Sequence, residues 1–139
     1  MTRIVLDASV ALAWLVDRSV SPYAIHVRNS LDAGARGLVP ALWHLEMANG
    51  LVVATRRKDL AVEDGDKSME FVEQMLVYAI ESDADPVSIR HVFATARTHQ
   101  LSVYDALYLD LARRERLPLA TLDQRLRAAA KTADVELFQ

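Results

Sequence analysis

Two rhythms of apolar residues run along this chain. Short runs that are apolar at every position, "IVL" and "GLV" among them, separate longer stretches in which apolar residues return every three or four positions. Unbroken apolar runs fit strands buried on both faces, and the longer period fits helices packed on them by one face. Ile4-Val5-Leu6 therefore reads as a strand running into the helix "ASVALAWLV". Ser21-Pro22 carries the N-cap and N1 signature of a second helix, which continues through Ile25, Val27 and Leu31 to the region of Gly34. Gly37-Leu38-Val39 is the next strand. Pro40 opens the long helix "PALWHLEMANGLVVATRRKD", with Leu42, Leu45, Leu51 and Val52 on a helical period and Gly50 tolerated inside it. A helix follows from about Val62 to Tyr78. Asp85-Pro86 caps a fifth, "PVSIRHVFATARTHQ", and "SVYDALYLDLARRER" makes a sixth. The strand Leu117 to Thr121 then leads into the helix "DQRLRAAAKT", and "VELF" supplies a closing strand. Strands alternating with helices predict parallel pairing in an α/β sandwich.

Composition narrows the class. A chain of 139 residues with 52% apolar residues and only four glycines and four prolines reads as one compact domain, residues 1–139. Cysteine is absent, which excludes disulfides and thiolate metal sites and fits a reducing compartment. The longest apolar stretch, Val10 to Val16, is too short to span a bilayer, and the amino terminus lacks the basic start and cleavage site of a signal peptide. The expectation is a cytoplasmic protein with no membrane association. A net charge of −3 gives no bulk attraction to nucleic acid. Basic clusters at Arg56-Arg57-Lys58, at Arg113, Arg114 and Arg116, and at Arg125 and Arg127 lie near helix ends, where the helix dipole favours cations in any case.

Four acids stand out on this map. Asp7 follows the first strand, where it either caps the next helix or occupies the carboxyl end of a parallel strand, the place where open α/β sheets bind ligands. Asp123 follows the strand ending at Thr121, on the same edge of the sheet. Glu46 sits inside the apolar "WHLEMANGL", and Asp105 opens the helix "YDALYLDLA". Carboxylates embedded among Trp43, Leu45, Met47, Tyr104, Ala106 and Leu107 are costly unless compensated. Two like charges 4 Å apart repel by roughly 4 kcal/mol at an effective dielectric of about 20. The basic residues of the sequence lie away from all four motifs, so one cation is the economical compensation. An oxygen-only set without cysteine or paired histidine suits Mg²⁺ or Mn²⁺ and argues against Zn²⁺. A water on such an ion can attack a phosphodiester.

The order "VLDASV", "WHLEMANGL", "LSVYDALYLDLA", "LATLDQRL" resembles the PIN-domain ribonucleases, most closely the VapC toxins of prokaryotic toxin–antitoxin pairs, over about Arg3 to Leu137. The resemblance implies a three-layer α/β/α sandwich with a short central parallel sheet. It also implies an RNA substrate, 5′-phosphate and 3′-hydroxyl products, a homodimer, and a cognate VapB-type antitoxin that blocks the site. Residue by residue, Asp7, Glu46, Asp105 and Asp123 match the acidic quartet that holds the metal in that family. Ser9 and Thr121 match hydroxyl-bearing positions that orient a metal-bound water, and Asn49, one helical turn from Glu46, supports the site. Many relatives carry Ser or Thr directly after the first acid; this chain has Ala8. An antitoxin is expected to lie against apolar surface around Trp14 and Trp43 and to direct a basic side chain toward Asp7 and Glu46.

The remaining candidates have plainer readings. His26, His44, His91 and His99 lack metal-ligand spacing. Asp110 lies on another helix face from Asp105 and reads as a solvated acid, while Asp17, Asp83 and Asp85 read as turn or cap residues. A haloacid-dehalogenase-like phosphatase needs a second Asp where this chain has Ser9, and a receiver-like module needs a lysine closing a later strand. The stronger alternative is a PIN fold that keeps its acids but acts mainly by binding RNA or a protein partner.

Overall fold

A computed structural model describes all 139 residues. Four strands form one parallel sheet in the order β3-β2-β1-β4, with β1 at Arg3–Leu6, β2 at Arg36–Val39, β3 at Ile80–Ser82 and β4 at Leu119–Ala120. Seven helices surround it: α1 (Ala8–Val16), α2 (Pro22–Asp32), α3 (Leu42–Arg56), α4 (Val62–Tyr78), α5 (Ile89–His99), α6 (Val103–Glu115) and α7 (Gln124–Thr132). Helix α1 packs between α2 and α3, and α4 packs on α3, whereas α6 lies on β1 and β4 and carries α5 and α7 beside it. The result is the α/β/α sandwich.

The central strands are short but almost completely buried. Ile4, Val5 and Leu6 are fully buried, as are Leu119 and Ala120, which pair with Val5 and Leu6. From β1 the chain moves outward to β2 and then β3, and only afterwards crosses to β4 on the other side of β1. The strand order therefore reverses between β1 and β4. At such a reversal the segments leaving the two strands diverge and open a crevice at the carboxyl edge. Asp7 directly follows β1, and Thr121 directly follows β4.

Several elements differ from the sequence reading. The buried stripe of α3 is Trp43, Met47, Leu51 and Ala54; Leu45 and Val52 face outward. Gly50 is a close-approach position, since a Cβ there would fall 2.5 Å from Leu12 Cδ2 of α1. Helix α5 starts later than Asp85-Pro86, with Ser88 as its cap accepting from the His91 N–H. The edge strand β3 lacks an apolar run, because only Ile80 of its three residues is buried. The "VELF" segment contributes a single bridge, Leu119 to Leu137, in place of a strand. Trp43 is wholly buried, and Trp14 is half-buried with its indole N–H donating to the Ala24 carbonyl at 2.7 Å. Neither offers the open apolar surface expected for an antitoxin.

Candidate active site

Asp7 occupies the N-cap position of α1 with extended backbone (φ −70°, ψ 142°), yet its side chain makes no cap hydrogen bond. Its Oδ2 instead accepts from the Ser9 hydroxyl at 2.6 Å and from the Thr121 hydroxyl at 2.7 Å. The same two hydroxyl oxygens accept backbone N–H groups of the loop after β4: Ser9 Oγ from Leu122 at 3.1 Å and Thr121 Oγ1 from Asp123 at 3.0 Å. Asp7 is thus welded to the start of the α7 segment across the β1–β4 crevice. It is only 5% exposed. Burial pushes its pKa up, the two hydroxyl bonds pull it down, and the Asp123 charge adds to the upward shift.

Glu46 projects from α3 and is half-buried. Its Oε1 accepts from the hydroxyl of Tyr108, a residue of α6 with no exposed surface, at 2.5 Å. Burial raises the Glu46 pKa, the Tyr108 bond lowers it, and the charges of Asp7 and Asp105 raise it further. Tyr108 is itself pushed well above the usual phenol range, first by burial. It stays a neutral donor. Asp105 sits in the first turn of α6, behind the Ser102 cap. Burial raises its pKa, as do the charges of Asp123 and Asp7, against weaker pulls from Ser102 and Arg125. Asp123 caps α7, its Oδ1 accepting from the N–H groups of Arg125 (2.9 Å) and Leu126 (3.2 Å).

The fold brings all four acids into one electrostatic neighbourhood at the carboxyl edge. Three of them, Asp7, Glu46 and Asp105, are shifted upward by burial and by one another. No three Asp, Glu or His side chains close around a common point tightly enough to hold a metal ion. The donor set nonetheless fits a hard divalent cation: oxygen only, mutually repelling, partly desolvated. Arg125 corrects the expectation that basic residues lie away from the acids, since it is close enough to Asp105 to oppose its upward shift.

The supporting candidates divide. Ser9 and Thr121 bond to Asp7 itself. Asn49 is exposed on α3, and the partner of Glu46 is Tyr108. Sequence reasoning missed Tyr108, which lies one turn beyond Asp105 on the same helix; that spacing was the available signal. Asp110 is mostly buried and accepts from the Thr95 hydroxyl at 2.6 Å, so it is a structural acid and not a solvated one. Asp83 is fastened to Arg114 at 2.7 Å, beside a cavity of about 420 Å³ lined by Pro40, Leu42, Val87, Leu107 and Leu111. That cavity contains none of the four candidate acids. The four histidines do not converge: His26 stacks on Phe138, His44 bonds Ser82, His91 faces Asp110, and His99 bonds Thr132.

The model of the PIN domain, a nuclease fold, matches residues 4–132. No curated protein matches the chain at a significant level. Among solved structures, PAE2754 from Pyrobaculum aerophilum is similar at 22% identity and a TM-score of 0.70, covering 92% of this chain and 84% of its own. FitAcB from Neisseria gonorrhoeae is similar at 22% identity and a TM-score of 0.69, over 98% of this chain and 96% of its own. A domain of a functionally unknown protein from Methanocaldococcus jannaschii aligns over 99% of this chain and 90% of its own, at 15% identity and a TM-score of 0.55. At these identities the likeness is one of fold.

Proposed function

The chain belongs to the PIN domain family, and from that premise we propose that it is a metal-dependent endoribonuclease, the toxin of a VapBC-type pair, acting as a single domain in the cytoplasm with Mg²⁺ or Mn²⁺ at Asp7, Glu46, Asp105 and Asp123. The observation that carries this reading is the behaviour of Asp7. A carboxylate at a helix N-cap would ordinarily accept the free N–H groups below it. This one makes no cap hydrogen bond and is engaged instead by Ser9 and Thr121, buried among other acids at the strand-order reversal. Such an arrangement destabilises the empty site and favours a bound cation.

A divalent ion held there supplies charge neutralisation at a phosphate and a more acidic water. The protein's own residues do the positioning. Ser9 and Thr121 orient Asp7, Tyr108 holds Glu46, and the N-terminal amides of α7 hold Asp123. Exposed Arg125, beside Asp105, is placed to meet a substrate phosphate. Cleavage would leave 5′-phosphate and 3′-hydroxyl ends. A homodimer and a VapB-type antitoxin complete the proposal. With Trp43 buried, the apolar surface for that antitoxin is better supplied by exposed Leu45, Val52 and Val62 on α3 and α4.

A second reading is that the fold binds RNA or a protein partner without significant cleavage. Induced expression followed by mapping of RNA 5′ ends separates the two. New 5′-phosphate ends that vanish with Asp105→Asn support the nuclease; identical end maps for parent and variant support the binding role.

A further inference from the structure

Each of three acids has one oxygen already engaged inside the protein. Asp7 Oδ2 accepts two hydroxyls, Ser9 and Thr121, and Asp123 Oδ1 accepts two backbone N–H groups, Arg125 and Leu126. A carboxylate oxygen has two lone-pair sites, so both of these oxygens are saturated. Glu46 Oε1 accepts the Tyr108 hydroxyl at 2.5 Å. One oxygen of each remains outside these bonds: Asp7 Oδ1, Glu46 Oε2 and Asp123 Oδ2.

We infer that Tyr108 is a positioning residue that restricts Glu46 to one ligating oxygen, so that the acid cluster selects a small six-coordinate cation, Mg²⁺ or Mn²⁺, over Ca²⁺. This rests on the proposed metal site. Ca²⁺ takes six to eight oxygens in flexible geometry and commonly uses a carboxylate through both, whereas Mg²⁺ binds through one or two carboxylates and keeps several waters. Asp7 and Asp123 are confined by groups that also build the loop after β4. Glu46 is different. It stands on a separate helix, half-exposed, and Tyr108 is its one hydrogen-bond partner. The Tyr108 ring has no exposed surface, so the hydroxyl cannot swing away, and a short bond from a fixed donor holds the carboxylate at one rotation. Without the hydroxyl, Glu46 is free to turn both oxygens inward and satisfy a larger ion.

The test compares Mn²⁺ and Ca²⁺ affinities, by calorimetric titration, in purified parent protein, Tyr108→Phe and Asp7→Asn. Mn²⁺ binding in the parent that is lost in Asp7→Asn places the ion at the acids. The ratio of Mn²⁺ to Ca²⁺ affinity then falls about tenfold in Tyr108→Phe, the lower end of what loss of an outer hydrogen bond costs at a metal site. If both ions weaken equally and the ratio holds, Tyr108 is merely structural and the inference is overturned. Glu46→Asp, whose carboxylate stops one methylene short of the Tyr108 hydroxyl, reads the same bond without touching the buried ring. It lowers the ratio as well, and an unchanged ratio there is equally contrary. A parent that binds neither ion, or that binds Mn²⁺ as well after Asp7→Asn, overturns the metal site itself.

Discussion

Asp7 shows how far single residues can be read. The strand before it and the helix after it are plain in the sequence, and so is the choice between cap and strand-end ligand, but the choice turns on partners more than a hundred positions away in the case of Thr121. Ser9 and Thr121 are legible as hydroxyls near the acids, but spacing along the chain does not say that both face the same oxygen of Asp7. Tyr108 was hidden by its surroundings: a tyrosine among Leu107, Leu109 and Leu111 reads as core, and its ring is core. Two predictions belong here. Thr121→Val keeps shape but strips Asp7 of a charge-assisted bond in a buried setting, and is expected to lower stability by about 1.5–3 kcal/mol in chemical denaturation. The second is a pH effect. Asp7, Glu46 and Asp105 have folded-state pKa values above their ordinary ones, so the folded protein binds more protons than the unfolded chain over that interval. Metal-free stability therefore declines as pH rises from the ordinary carboxylate range through the raised values. Asp7→Asn removes part of that decline, and melting curves of parent and variant should converge at low pH and separate, with the variant more stable, as pH rises.

Elements were legible where burial is uniform and obscure where it is not. The apolar runs of β1 and β2 and the full extent of α4 follow from pattern. Strand β3 did not, since an edge strand with one buried residue has no run to see. The face of α3 was misjudged because Leu45 and Val52 are apolar yet exposed, and Gly50 looked like a tolerated flaw. It is the contact point between α3 and α1. Gly50→Ala gains about 1 kcal/mol in helix propensity but drives a methyl into Leu12, and overpacking of this kind costs about 1–3 kcal/mol. The net expectation is a modest loss of stability, and a clearer one is coupling: the same substitution should be better tolerated in a Leu12→Ala background. Equal effects in both backgrounds would mean that the helices already have room.

At the scale of the whole molecule, the order of strands places the chemistry. A sheet that grows outward from β1 through β2 to β3 and then returns to β4 must open a crevice between β1 and β4, and two of the four acids follow those strands. The other two reach the same edge from α3 and α6, which is how residues 7, 46, 105 and 123, far apart in the chain, come to feel one another's charge. Their order in the chain was visible; that they stop short of a closed cage was not, because side-chain rotation leaves no trace in sequence. Repulsion within the empty cluster predicts that millimolar Mn²⁺ raises the melting temperature by linkage and that a double Asp7→Asn, Asp105→Asn variant loses the gain. An equal shift in both proteins would put the ion elsewhere. The measurement closest to the central claim is cleavage of RNA by the purified protein. The account predicts phosphodiester cleavage in the presence of Mg²⁺ or Mn²⁺, its abolition by a chelator, and a fall of at least about tenfold in Asp7→Asn, a loss of transition-state stabilisation of about 1.4 kcal/mol or more. Cleavage by Asp7→Asn at the parental rate, or by the parent in excess chelator, would contradict it.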